Sequence, residues 1–153
     1  MPIRVYECAR EEVEALKKML EYDPYTDPNV LPPSRYGDKD LKAMAKEQRD
    51  AAEKEESGRV EKLKALRADR LLNIIFWKQD CRLRDAQSVG IGGDKSYLYV
   101  DAPEDFLNGA DEKFAKSFKT IKRASKEDEE RVISTIKKEE ETANAGFGSI
   151  FGS

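Results

Sequence analysis

Two hydrophobic periods alternate along this chain. Ile3, Val5 and Glu7 alternate with Arg4, Tyr6 and Cys8, the two-residue repeat of a strand over 3–8. The period then lengthens. Ala9, Val13, Leu16 and Leu20 recur at helical spacing, which predicts a helix from Ala9 to Tyr22. Glu11 and Glu12 in its first turn and Lys17 and Lys18 further on suit the helix dipole.

The clearest second strand is Ser96-Tyr97-Leu98-Tyr99-Val100, within 96–101. If 82–90 is also extended, the turn Gly90-Ile91-Gly92-Gly93-Asp94 closes a hairpin onto it. Asp101-Ala102-Pro103-Glu104 reads as a helix start, with Asp101 as cap, Glu104 reaching back and Pro103 in the first turn. Leu107, Ala110, Phe114, Phe118 and Ile121 carry that helix onward. Ser125 and Asp128 open a last helix to about Ala143, whose stripe of Val132, Ile133 and Ile136 is thin.

The middle of the chain is the most unusual. Leu41, Met44, Ala45, Gln48 and Ala52 make a sparse stripe among many charges, a helix face that buries little on its own. Val60, Leu63, Leu66 and Ala68 continue the helical period into the densest apolar run, Leu71-Leu72-Asn73-Ile74-Ile75-Phe76-Trp77. No Gly or Pro immediately precedes Leu71, so the run is expected to stay helical and to form the core. Ser57-Gly58 divides the region 39–80 into two readings: one long helix that tolerates Gly58, or a helical hairpin turning there, with the hairpin preferred. Before it, Tyr22 to Asp38 holds Pro24, Pro28, Pro32 and Pro33 with Tyr22, Tyr25 and Tyr36, which reads as a rigid connection with its tyrosines on the core. A weak echo links Tyr6–Val13 with Tyr99–Phe106, both strand-to-helix junctions. If the echo is structural, the two strands lie side by side with both helices on one face, and the middle region is an insertion between them.

The expected fold is therefore α+β and predominantly helical, with a small antiparallel or mixed sheet. The expected organisation is a single domain over 1–143, a projecting helical region at 39–70 and a Gly/Ser/Phe tail at 144–153. Composition sharpens this. Of the 153 residues, 39% are charged, well above the average for a domain, yet the net charge is only −3. So much mixed charge needs extensive solvated helix surface. No stretch reaches the apolar length of a membrane span, the first residues lack a signal-peptide core, and the location is expected to be cytoplasmic. Cys8 and Cys81 then read as free thiols.

Candidate chemistry is sparse. There is no histidine, which excludes His-based acid–base catalysis, Ser–His–Asp or Cys–His nucleophile systems and His metal ligation. Gly90 to Ser96 resembles a phosphate loop only superficially: Asp94 interrupts the Gly–Lys step, and the loop leads into a strand rather than a helix N-terminus. Asp23 with Asp27, or Asp101 with Asp105, are carboxylate spacings suited to Mg²⁺, and neither is singled out. No catalytic residue, metal site or cofactor is expected. The preferred function is a non-catalytic accessory protein that docks on a protein partner or self-associates. Its contacts would be Leu41 and Met44 in the helical region and Phe147, Ile150 and Phe151 in the tail, apolar groups that need a cover. The second reading is nucleic-acid association through Arg59, Lys62, Arg67 and Arg70 on one helix and Lys116, Lys119, Lys122 and Arg123 on another. A distant third is an enzyme acting on a phosphorylated small molecule at the Gly90–Ser96 loop.

Overall fold

The computed structural model describes residues 2–33 and 45–150, with side chains as far as 144. It is an α+β fold dominated by helix, with one small antiparallel sheet. The chain divides into two compact units, Met1–Glu21 with Phe76–Ser153, and Tyr22–Ile75.

The first unit carries the sheet. Its strands are β1 (Ile3–Cys8), β2 (Asp80–Asp85), β3 (Ser96–Asp101) and β4 (Lys122–Arg123), in the order β2-β3-β1-β4. Its helices are α1 (Val13–Glu21), α3 (Glu104–Ser117) and α4 (Lys126–Ile150). The two echo strands are central neighbours: Tyr6 lies opposite Leu98, and Val5 opposite Tyr99. Strand alternation then sorts the side chains onto two faces.

One face takes Val5, Tyr97 and Tyr99, which form an apolar cluster with Val132 and Ile136 of α4. The other face takes Tyr6, Cys8, Leu98 and Val100, all buried. There Phe114 of α3 meets Tyr6 edge-on at 4.9 Å between ring centroids and stacks on Phe76 at 5.1 Å, geometries that aromatic quadrupoles favour. The same face holds a part-buried polar network. Asp111 of α3 accepts from Arg4 Nη1 at 2.6 Å and from the Tyr6 hydroxyl at 2.5 Å. Burial, and then Asp111, drive the Tyr6 phenol well above its ordinary pKa, so it stays a donor. Both junction helices, α1 and α3, lie on this face, as the echo implies.

Three helix boundaries differ from expectation. Asp101 does not cap α3: it ends β3, Pro103 occupies the N-cap position, and no side chain caps the helix. Phe118 is extended at the end of α3, and Ile121 is buried beyond it, so the apolar stripe outlasts its helix. By contrast Ser125 does open α4, its hydroxyl accepting from the Asp128 N–H at 3.2 Å. That helix runs on to Ile150, through the segment expected to be a tail.

The second unit is built on α2 (Lys46–Ala68), a single helix that passes straight through Ser57-Gly58. The expected hairpin does not form there. A Cβ at Gly58 would meet nothing within 4 Å, so the residue is a helical glycine on an open side. The helix stops instead at Asp69, and against expectation the apolar run does not continue it: 70–73 turn, and only a short 3-10 helix, Phe76–Lys78, follows. Polar side chains explain the stop. Asn73 Nδ2 donates to the carbonyls of Leu66 at 2.7 Å and Asp69 at 2.6 Å, and Asp69 Oδ1 accepts from the Leu72 N–H at 3.1 Å. These bonds satisfy the end of the helix and hold 70–73 in a turn. The run is not the centre of the core either. Ile75 and Phe76 are buried, Leu71, Leu72 and Ile74 only partly, and Trp77 is 52% exposed. The proline-rich connection forms turns, with Tyr22 donating to Asp27 at 2.7 Å and Tyr25 to Asn73 at 2.6 Å; Tyr36 lies outside the described residues.

Candidate functional site

The surface with the best-defined unused chemistry is the outer side of β2. It is an edge strand, paired on one side only by β3, with Arg82 opposite Tyr99 and Leu83 opposite Leu98. The Ala86 N–H donates to the Lys95 carbonyl at 2.9 Å, which extends that ladder by one pair. Antiparallel strands send the backbone groups of alternate residues to opposite sides. Asp80, Arg82 and Arg84 therefore direct their N–H and C=O toward β3, and Cys81, Leu83 and Asp85 direct theirs outward. No other strand among the described residues pairs with β2. The Leu83 carbonyl accepts from the neighbouring Arg84 guanidinium, at 3.2 Å.

Side chains flank this edge asymmetrically. On the α4 side, Arg82 reaches Asp80 at 3.1 Å and Glu140 at 2.7 Å, and Arg84 reaches Glu139 at 3.2 Å. On the other side, Cys81 and Leu83 are half-buried and line a groove of about 650 Å³. Val13, Lys17 and Leu20 of α1 form its opposite wall. Its lining mixes apolar side chains (Val13, Leu20, Cys81, Leu83) with charged ones (Lys17, Glu21, Arg84, Asp85). Burial, and then Asp80, push the Cys81 thiol up to about 12, and its Sγ donates to the Phe76 carbonyl at 3.4 Å. Burial likewise pushes the Cys8 thiol up to about 11. Neither is a nucleophile near neutral pH. The groove offers shape, apolar area and backbone hydrogen bonds.

The residues singled out from the sequence are placed as follows. Leu41, Met44 and Phe151 lie outside the described residues; Phe147 and Ile150 fall on the backbone of α4 with their side chains undescribed. Arg59, Lys62, Arg67 and Arg70 belong to the second unit, where Arg59 Nε donates to the Pro32 carbonyl at 2.8 Å. Lys116, Lys119, Lys122 and Arg123 belong to the first. Three of these meet carboxylates: Lys116 with Glu112 at 3.3 Å, Lys122 with Glu7 at 3.4 Å and Arg123 with Glu129 at 3.7 Å. Glu12 holds the loop beside them, accepting from the backbone of Lys119 and Thr120 and from the Thr120 hydroxyl.

The Gly90–Ser96 loop bends at Gly90 (φ 72°) and Gly93 (φ 104°), left-handed positions that suit glycine, and enters β3. Its Gly90 carbonyl accepts from Arg131 at 2.7 Å. Asp23 and Asp27 accept from the backbone of Tyr25 and Asn29, the local turns that aspartates favour. Among the described residues no His, Cys, Asp or Glu cluster has the geometry of a metal site, and no helix is long and apolar enough to cross a membrane. The edge residues Cys81 and Leu83 escaped sequence reasoning. Their only signal was the alternation within Asp80-Cys81-Arg82-Leu83-Arg84-Asp85. Compared with known proteins, the chain matches no family model, no curated protein and no solved structure.

Proposed function

We propose that this is a non-catalytic interaction protein of the cytoplasm, working by contact with a protein strand rather than by chemistry on a substrate. The observation that supports it is the β2 edge: three residues with outward backbone groups beside a half-apolar groove. An extended segment laid there would add a strand to the sheet, gaining main-chain hydrogen bonds from β2 and side-chain pockets from α1. Two free thiols suit a reducing compartment.

The test uses the full chain as bait for a library of displayed random peptides. A selected peptide should protect the Cys81 and Leu83 amides from hydrogen exchange. Leu83→Pro, which removes an outward N–H without touching the β3 ladder, should abolish binding while the circular dichroism spectrum holds. Selected peptides that map elsewhere, or that bind Leu83→Pro as well as the parent, would refute the reading.

A further inference from the structure

We infer that the strand added to β2 is β2 of a second copy of this chain, giving one antiparallel eight-stranded sheet across a two-fold axis. The inference rests on β2 being a contact edge and adds the identity of the occupant.

Geometry first limits the register. Only Cys81, Leu83 and Asp85 direct backbone groups outward, so hydrogen-bonded pairs across the axis join odd-numbered residues to odd-numbered residues. Two registers then cover most of the strand. In one, Cys81 faces Leu83 of the second copy, Arg82 faces its own counterpart at the axis, and Asp80 faces Arg84. In the other, Leu83 faces itself, and Arg82 faces Arg84 twice. Charge decides between them. The first sets two Asp–Arg pairs directly opposite, with one Arg–Arg contact; the second sets two Arg–Arg pairs. The axial Arg82 in the first is already held between Asp80 at 3.1 Å and Glu140 at 2.7 Å, so its charge is compensated within each copy.

The apolar side agrees. Cys81 against Leu83 is an apolar pair on the groove face, and the two-fold brings both α1 grooves to the same side of the joined sheet. Arg84 completes the device. In the single chain its guanidinium covers the Leu83 carbonyl at 3.2 Å, the acceptor that pairing needs. Swinging toward Asp80 of the second copy uncovers that carbonyl. The sequence Asp80-Cys81-Arg82-Leu83-Arg84 is thus self-complementary in one register and self-repelling in the next.

Sedimentation equilibrium of the full chain tests this from micromolar to near-millimolar concentration. The wild type should dimerise. Asp80→Arg alone and Arg84→Asp alone should each weaken the dimer about tenfold or more, because two attractive pairs become repulsive. An equimolar mixture of the two variants should regain dimerisation as a heterodimer. There one of the two cross-axis pairs is restored with its charges exchanged, and the other keeps its native charges. That rescue excludes misfolding of either variant. A wild type that stays monomeric throughout, or a dimer indifferent to both substitutions, would overturn the inference. So would tighter dimerisation of Arg84→Asp, which is the mark of the other register. A monomeric wild type whose selected peptide still fails on Leu83→Pro would leave β2 as a docking edge and remove only self-pairing.

Discussion

Helices α2 and α4 look alike in the sequence and behave differently in the structure. Each is long (23 and 25 residues), densely charged and thinly striped with apolar side chains. In α4 the stripe is enough. Val132 and Ile136 are fully buried, and they close one side of the sheet against Val5, Tyr97 and Tyr99. In α2 only Ala52 and Leu66 are buried along the whole helix, and Val60 stays 44% exposed. The lesson is that a thin stripe stabilises a helix in proportion to what receives it. A sheet face offers side chains from adjacent strands as one continuous surface, so two side chains seat fully. A helix followed by turns relies more on its own ends and on pairs along its surface, such as Glu61 with Lys64 at 3.8 Å.

Five substitutions, one of them read by pH, probe this contrast. The largest expected effect is Ile136→Ala, which deletes a fully buried side chain from the sheet face and should cost about 2–5 kcal/mol in chemical denaturation. If it costs no more than a surface change, α4 is not seated as described. Next, Asn73→Ala removes the side-chain amide that closes the end of α2, and should cost about 1–2 kcal/mol. Amide exchange should show the loss in the last turn of α2, with the β1 and β3 amides unchanged.

Gly58→Ala runs the other way. The glycine is helical and a Cβ there has open space, so α2 should gain up to about 1 kcal/mol, seen as slower exchange across its middle turns. A loss would mean that the helix bends at Gly58. Val60→Ser should stay within about 0.5 kcal/mol, because a half-exposed valine on α2 buries little.

The smallest effect is on the sheet face that α4 covers and is read by pH. Burial, and then Asp128, raise the Tyr97 phenol above its ordinary pKa, the hydrogen bond to Asp128 being a long 3.3 Å. The folded state therefore holds this proton more tightly than the unfolded state. The stabilisation is complete below the unfolded tyrosine value of about 10 and is lost as pH rises through the higher folded value. Tyr97→Phe should flatten that alkaline decline in thermal melts without altering the neutral region.

Much of the fold was legible because its signals are local. The alternation at Ile3–Cys8 and Ser96–Asp101 became β1 and β3, and the shared junction pattern anticipated their pairing. The Ser125 cap marked the start of α4. The apolar run at Leu71–Trp77 misled, because hydrophobicity outweighed Asp69 and Asn73, whose short polar side chains bond the backbone and end the helix. Gly58 misled in the opposite direction. A helix-breaking preference of about 1 kcal/mol is small against 23 residues of continuous hydrogen bonding. The candidate site was barely legible, since Cys81 and Leu83 carry no motif. What distinguishes them is the missing neighbour of β2 among the described residues, and strand order is not a local property.

By itself, then, the sequence determined the α+β fold class, the two central strands, the amphipathic faces of α1, α3 and α4, and the absence of any imidazole side chain. Each follows from residue type and spacing along the chain. Tertiary structure alone decided that Phe76 stacks on Phe114 and that Asp111 is shared by Arg4 and Tyr6. It alone placed β2 at the rim of the sheet with its odd-numbered backbone groups turned outward. Those outcomes depend on which distant segments meet, and contact between residues far apart along the chain is settled by packing rather than by local preference.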